Sequence, residues 1–592
     1  MSEPFLPRPL RLAGRVFAWV LGALLLVAIA LAVWLGVRGG LAYGHLTAAQ
    51  ERATGLAGQL DDIGGAVESI DALGRDTSAA QELTSDPIWN AAEGLPWVGP
   101  QLAAVGTVAD TIDRVVTDAA SPIAAVAGDF GAGAFVPVDG RIDTAVFAAL
   151  EDPAWQAADV TASARDDLAT LDRTALIGLV DDAVADVDTL LNQAATATDA
   201  LARTSTLLPS MLGADGARDH LLLVQNNAEW RSQGGIVGAA TLLQTDAGEI
   251  ELGSQLSSDD FDTYAEPVLD LGDYETIYQK KPGRFIQNIT QVPDFAFTGQ
   301  LGREFAKRAG EEITSVVSLD PVALSYLLEA TGPVALPTGE ELTSDNAVDL
   351  LLSEVYTRSD NPAFQDAFFA AAAASVFDAL TGGDVDPAKL VAGLGRAGTE
   401  HRLLLWSADE AEQQLIAETT LAGAIPTSDD DTARLGVYFN EGGGSKMDYY
   451  VTPDVALNWS GCAEVSTPRT LTLDITLTSD APADAATSLP EYVTAYGIFG
   501  VPAGIARTVG EVYLPEGFEV VGTVNGDGGG FGGGMVDGRQ VLTYTVDLDP
   551  GETKTVTIAV RADTDITDAE AWVTPTADSS VSPSVQASCG AR

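Results

Sequence analysis

Histidine, cysteine and positive charge are all scarce in this chain, and each scarcity excludes something. The three histidines, His45, His220 and His401, stand far apart, with no Cys-x-x-Cys or His-x-x-x-His pattern. Neither a metal centre nor any other cofactor is therefore expected. Basic side chains number 31 against 85 acidic ones, a formal charge of -54. A chain this acidic repels phosphate backbones, so nucleic acid is not an expected partner. Nucleophile signatures are missing too: there is no Gly-x-Ser-x-Gly elbow, no Ser-x-x-Lys set beside its partners and no phosphate loop ending in Gly-Lys-Ser/Thr. A formal Gly-x-Gly-x-x-Gly occurs at Gly528, Gly530 and Gly533. It falls between strand-like segments rather than at a strand-to-helix turn, and reads as a flexible loop.

Long apolar runs are also few, and the first one is decisive. Val16 to Val37 is 22 residues without a charge, preceded by Arg8, Arg11 and Arg15. As a helix it spans roughly 33 Å, enough to cross a bilayer core. Basic flanks stay on the inner side, so residues 1–15 are expected as a cytoplasmic tail and the bulk of the chain as extracytoplasmic. A cleavable signal peptide has a shorter apolar region and a small-x-small site. The run here is longer and no clean Ala-x-Ala follows, so an uncleaved single-pass anchor in the plasma membrane is expected. No second apolar run of spanning length is evident. The only cysteines, Cys462 and Cys589, fall in the extracytoplasmic part, where oxidising conditions let a disulfide persist. Two unpaired buried thiols are the alternative. The bridge is favoured because the pair brackets one β-rich segment.

What is abundant points to a folded multidomain protein. Apolar residues make up 46% of the chain, and the Ala, Gly, Asp and Val excess with few lysines resembles GC-rich actinobacterial usage. Residues 43–210 read as a helical stalk or bundle. One stripe runs Leu56, Leu60, Ile63, Val67, Ile70 and another Leu176, Val180, Val184, Val187, Leu191, Ala194, with a break at Leu95–Pro100. Residues 215–437 alternate strands (220–225, 235–244, 314–319) with helices (297–309, 321–330, 347–356, 364–380), which implies an α/β head. Asp320 before Pro321 marks a helix start. From residue 438 to 592 helix signals fade. Alternating segments such as Thr470–Thr478, Val541–Leu548 and Thr553–Val560 suggest a β-sandwich.

Two constellations could carry chemistry. In Leu223–Gly235 (LVQNNAEWRSQGG) a strand runs into Gln225, Asn226, Asn227, Glu229 and Arg231, then two glycines. These groups could converge on a polar ligand, or tie down a turn. The second is a basic island, Lys280, Lys281, Arg284, Arg303, Lys307 and Arg308, with Asn288 among them. Arginine forks suit phosphate or carboxylate, so an anion site is one reading and a solvated face the other.

The segments HLLLVQNNAEWRSQGGIVGAATLL (His220–Leu243), QNITQVPDF (Gln287–Phe295), VVSLDPVALSYLLEATGPVAL (Val316–Leu336) and GGGSKMDYYV (Gly442–Val451) resemble the domain-of-unknown-function 4012 family of bacterial envelope proteins. That resemblance implies an envelope location and says almost nothing about activity. Thr314–Leu336 is more distantly similar to the LytR-CpsA-Psr phosphotransferases, which move glycopolymers from lipid pyrophosphate carriers. Those enzymes carry an arginine-rich helix; the corresponding FQDAFFAAAAASVFDAL (Phe364–Leu380) has no arginine. The expectation is a membrane-anchored protein that binds or scaffolds a surface polymer or protein partner. The alternative is a divergent transferase using Arg231, Arg284 and Glu229.

Overall fold

The structure is a computed structural model that describes residues 8–56, 63–130, 137–138, 140–256, 260–359, 361–382, 385–462, 469–562 and 566–589. Residues 1–7 of the expected tail and Leu60 of the first stripe lie outside the described residues. Contacts divide the chain into two compact units: Met1–Ala134 with Ala145–Leu208, and Phe135–Thr144 with Pro209–Arg592.

The first unit is helical. Its first helix, Arg8–Leu56, contains a stretch, Trp19–Ala53, of mean hydropathy 2.8 with nothing packed over its most apolar window. It is long and apolar enough to cross a membrane. The helices Ile63–Thr84 and Gly99–Arg114 pack on its C-terminal part. Ala42, Ala80 and Ala109 meet in one layer, and Ala49, Leu73 and Val116 in another. The second sequence stripe is mutual packing: Val184 and Leu191, in the helix Gly178–Met211, are buried with Ala104, Val108, Ala164 and Leu168.

The second unit is sheet-rich. A five-stranded sheet has the order β3-β2-β1-β4-β7, from β1 (Arg218–Arg231), β2 (Gly234–Asp246), β3 (Glu249–Leu256), β4 (Ser315–Leu319) and β7 (Leu403–Ser407). A two-stranded ribbon, β5 (Val334–Ala335) and β6 (Glu341–Leu342), lies between the last two in sequence. β1 runs antiparallel to β2 and parallel to β4. Helix starts follow the expected chemistry: Asp294 caps Phe295–Ala309 and Asp320 caps Pro321–Thr331, each accepting a backbone N–H.

Two further sheets follow. A six-stranded sheet contains β8 (Thr432–Glu441), β11 (Ala506–Tyr513), β13 (Gly532–Val536), β14 (Arg539–Leu548), β16 (Asp568–Val573) and β17 (Ser584–Ser588). A four-stranded one contains β9 (Val451–Ser460), β10 (Thr470–Ser479), β12 (Glu519–Asn525) and β15 (Thr553–Arg561). Along β10 the TLTLDITLT alternation becomes strict alternation of half-buried and buried positions. Leu471, Leu473 and Ile475 of β10 share one hydrophobic core with Leu435 and Val437 of β8 and Val546 of β14. Cys462 and Cys589 form the expected disulfide, 5.4 Å apart at Cα.

Three expectations are corrected. Gly532–Gly534 of the glycine tract pair with Val541–Thr543 in β13 instead of forming a loop, because their backbone groups find ladder partners. The helix containing Ala363–Thr381 is a second candidate span by length and composition, where no second run of that kind was expected. Its Phe368, Ala372 and Val376 belong to the core of the sheet-rich unit, so packing accounts for the apolar face. The polar motif after Leu223, read as residues beyond a strand end, lies inside the strand β1 itself.

Candidate functional site

The β1–β2 hairpin is irregular where its polar residues lie. Asn226 pairs with Ile236 and Trp230 with Gly235, so Asn227, Ala228 and Glu229 are extra residues on β1. Such a bulge re-aims side chains out of the regular alternation. The glycines allow it: a Cβ on Gly235 would lie 2.3 Å from the Asn226 carbonyl.

Each polar side chain then finds a buried partner. Gln225 donates to Ser318 Oγ (2.8 Å) and accepts from the Gly235 N–H (2.7 Å). Asn226 donates to the Tyr356 hydroxyl, and Asn227 to Asp320 (3.0 Å), which also receives Arg402 (2.7 Å). Glu229 sits between two cations, Arg231 Nη2 at 3.0 Å and Lys446 Nζ at 3.2 Å. Arg231 further donates to Asn288 Oδ1 (2.9 and 3.1 Å) and to the Trp230 carbonyl. The Trp230 N–H donates to Asp448 (2.8 Å), while its fully buried ring packs against Phe439. Asn440 joins Ser232 to Glu511, at 2.9 and 3.0 Å. Lys446 lies over the rings of Tyr356 and Tyr492, 5.3 and 5.4 Å from their centroids.

The electrostatics are set by burial. Desolvation pushes the Glu229 carboxyl upward, but the Lys446 and Arg231 charges outweigh it and hold it below its usual range. Burial, then the Glu229 charge, raises Glu441 to about 7, against N–H donation from Gly443. Burial raises Glu511 to about 8, opposed by Asn440 and Arg231. Asp448 is held well above its usual range, by burial first and the Glu441 charge second. The result is an ionised Glu229 clamped by two cations and ringed by carboxyls that favour their neutral form. A narrow cleft lined by Leu352, Ser353, Thr357, Tyr449, Pro490 and Val493 reaches Lys446, but it is too tight to hold a ligand as it stands.

The structure therefore brings Gln225, Asn226, Asn227, Glu229 and Arg231 into one buried polar region, with half-buried Asn288 against Arg231. The rest of the basic island disperses. Lys280 pairs with exposed Glu266, and Arg284 donates to the Tyr264 carbonyl (2.6 Å). Lys281 and Arg303 are exposed. Sequence reasoning missed Lys446, Asp448, Glu441, Asn440, Glu511 and Tyr356. Lys446 and Asp448 stand in the GGGSKMDYYV segment, whose signal was present but not connected to the hairpin. Glu511 is a charged residue within an apolar strand, a second available signal.

Fold and network together define a domain organised around a polar hairpin, whose signature residues bond chiefly to the protein itself. Residues 215–356 match the family model described as "Protein of unknown function (DUF4012)", so the chain carries a domain of that family over these residues. No curated protein and no solved structure is significantly similar to the chain.

Proposed function

We propose that this chain is a single-pass membrane protein with its bulk outside the cytoplasm, which binds or scaffolds a surface glycopolymer or protein partner without catalysis at its family motif. In this reading the helical unit is a stalk, residues 215–437 are an α/β head and the strands beyond form a β-sandwich. The apolar helix, with arginines before it in sequence, supports the anchor and its orientation, and the disulfide suits an oxidising compartment. The observation that carries the reading is the clamp on Glu229. The cations a pyrophosphate would need are already buried and share the Glu229 carboxylate, and Arg284 is turned to a backbone carbonyl.

One observation favours the transferase alternative. Glu441 and Glu511 are poised near neutrality, the range in which a carboxyl serves as general acid or base. The two readings separate when full-length protein in nanodiscs meets purified cell-wall polymer and, in parallel, undecaprenyl-pyrophosphate-linked glycan. Scaffolding expects retained polymer and no released carrier. Release of undecaprenyl pyrophosphate that Arg284→Ala abolishes in a folded protein overturns it.

A further inference from the structure

The geometry points to a second membrane contact: two apolar connections of the helical unit lie in the lipid interface beside the anchor helix. The inference rests on the reading of Arg8–Leu56 as a membrane anchor, and it follows from helix register.

Ala42, Ala80 and Ala109 share one layer, and Ala49, Leu73 and Val116 the next. Seven residues forward on the anchor thus match seven back on Ile63–Thr84 and seven forward from Gly99–Arg114 into the π-helical turn Val115–Ala120 that continues it. The same step towards the N-terminus leads from Ala42 to Leu35 and from Ala109 to Leu102, so the end of Ile63–Thr84 and the chain after it come to the close of the apolar run that ends at Val37. Independent contacts agree. Arg38 donates to the Leu83 carbonyl (2.8 Å) and the Glu82 carbonyl (2.6 Å) and pairs with Asp86 (3.2 Å). Trp89 lies against Gly39 and donates to the Leu102 carbonyl (3.1 Å). Trp34 and Leu35 are half-buried, whereas Leu31 and Val33 before them are exposed.

The connection at this level, 85–98, presents Ile88, Leu95, Trp97 and Val98 to the outside, Trp97 at 90% exposure. Trp97 also has a φ of 65°, a left-handed conformation uncommon for a non-glycine residue. A second connection arrives at the same height. Gln101 donates to the Ala175 carbonyl (2.8 Å) and accepts from the Ile177 N–H (3.0 Å). Ile177 and Leu179 beside it are 58% and 73% exposed. Six large apolar side chains around a spanning helix, a tryptophan foremost, match the amphipathic belt at a bilayer surface. Water would face the same patch at a cost of roughly 25 cal/mol per Å² of apolar surface. The occupant is the acyl–headgroup boundary of the leaflet nearest Arg38.

The test uses full-length protein in phosphatidylcholine/phosphatidylglycerol nanodiscs carrying doxyl spin labels at shallow or deep acyl positions. Trp97→Cys, Val27→Cys and Leu190→Cys are each labelled with an environment-sensitive nitrobenzoxadiazole; both native cysteines are in the disulfide. Leu190 is also exposed, about 16 Å further along its helix than Leu179. The expected result is several-fold stronger quenching at 97 by shallow than by deep labels, deep-label quenching at 27, and none at 190. Quenching at 27 without quenching at 97 overturns the interfacial contact and leaves the anchor standing. Absence at both positions removes the anchor reading and this inference together. A probe at 97 that is shielded from lipid and crosslinks to a second copy also overturns it.

Discussion

In the helical unit, the buried hydroxyls of Thr84, Thr111 and Thr161 donate to carbonyls four residues back in their own helices, at 3.1, 2.9 and 2.9 Å. In the sheet-rich unit the buried polar groups reach across the chain, Asn227 to the Pro575 carbonyl 348 residues away and Glu229 to Lys446 across 217. The first unit satisfies these hydroxyls within one helix and other polar groups between neighbouring helices, as where Thr77 donates to Asp113 (2.9 Å), and its alanine layers let helices approach closely. The second is specified by pairings that exist only when distant segments have all arrived. Its burial of ions is costly unless each is partnered, so every partner is a point of failure.

That contrast is broken most severely at the cross-links. Cys462→Ala with Cys589→Ala removes a bridge across 127 residues. In the chain-entropy model this costs about 4–5 kcal/mol. Guanidinium unfolding should show the loss in the sheet-rich unit, with the helical unit's transition unmoved. Glu229→Ala leaves Lys446 and Arg231 buried side by side, and costs about 3–5 kcal/mol. An equal shift in both units' transitions would mean that they are not separately organised.

The pH dependence sharpens the same contrast. Glu441 and Glu511 have folded-state values raised to about 7 and about 8, so the folded state holds protons that the unfolded chain releases above its ordinary carboxyl range. Their contribution is therefore lost as pH rises through about 5 to 8. Glu229, held low, contributes above its unfolded value and loses that contribution in acid. Stability of the sheet-rich unit should peak near mildly acidic pH and fall towards pH 8. Thermal melts across that range check it, and Glu511→Gln should flatten the slope.

How much could be read beforehand follows the same division. The stripe through Val184 and Leu191, the Asp320–Pro321 cap, the break before Gly99 and the β10 alternation are local patterns, and local physics suffices to form them. The membrane-spanning capacity of the first helix was legible for the same reason, and the disulfide because the chain has two cysteines and one possible pairing. The extension of β1 through Asn226 to Arg231 was not. Its polar run has no strand period, and it becomes a strand only because Tyr356, Asp320, Lys446 and Asp448 arrive to satisfy it. The candidate residues could be listed from sequence; their mutual closure could not, since half of the network lies more than 200 residues further along.

The two smallest effects test whether polar closure, rather than polarity, distinguishes the units. Ser318→Ala deletes the hydroxyl that receives Gln225 Nε2 and leaves that buried amide hydrogen unpaired, which costs about 1–3 kcal/mol. Thr84→Val removes a hydroxyl that is just as buried. Its partner, the Ala80 carbonyl, keeps its place in the helix, and valine fills nearly the same volume. The expected change is within about 0.5 kcal/mol. Denaturation midpoints of the two variants, measured side by side, decide the matter. A Thr84→Val loss as large as that of Ser318→Ala would mean that the helical unit also depends on its buried hydroxyls, and the contrast would then be one of sequence distance alone.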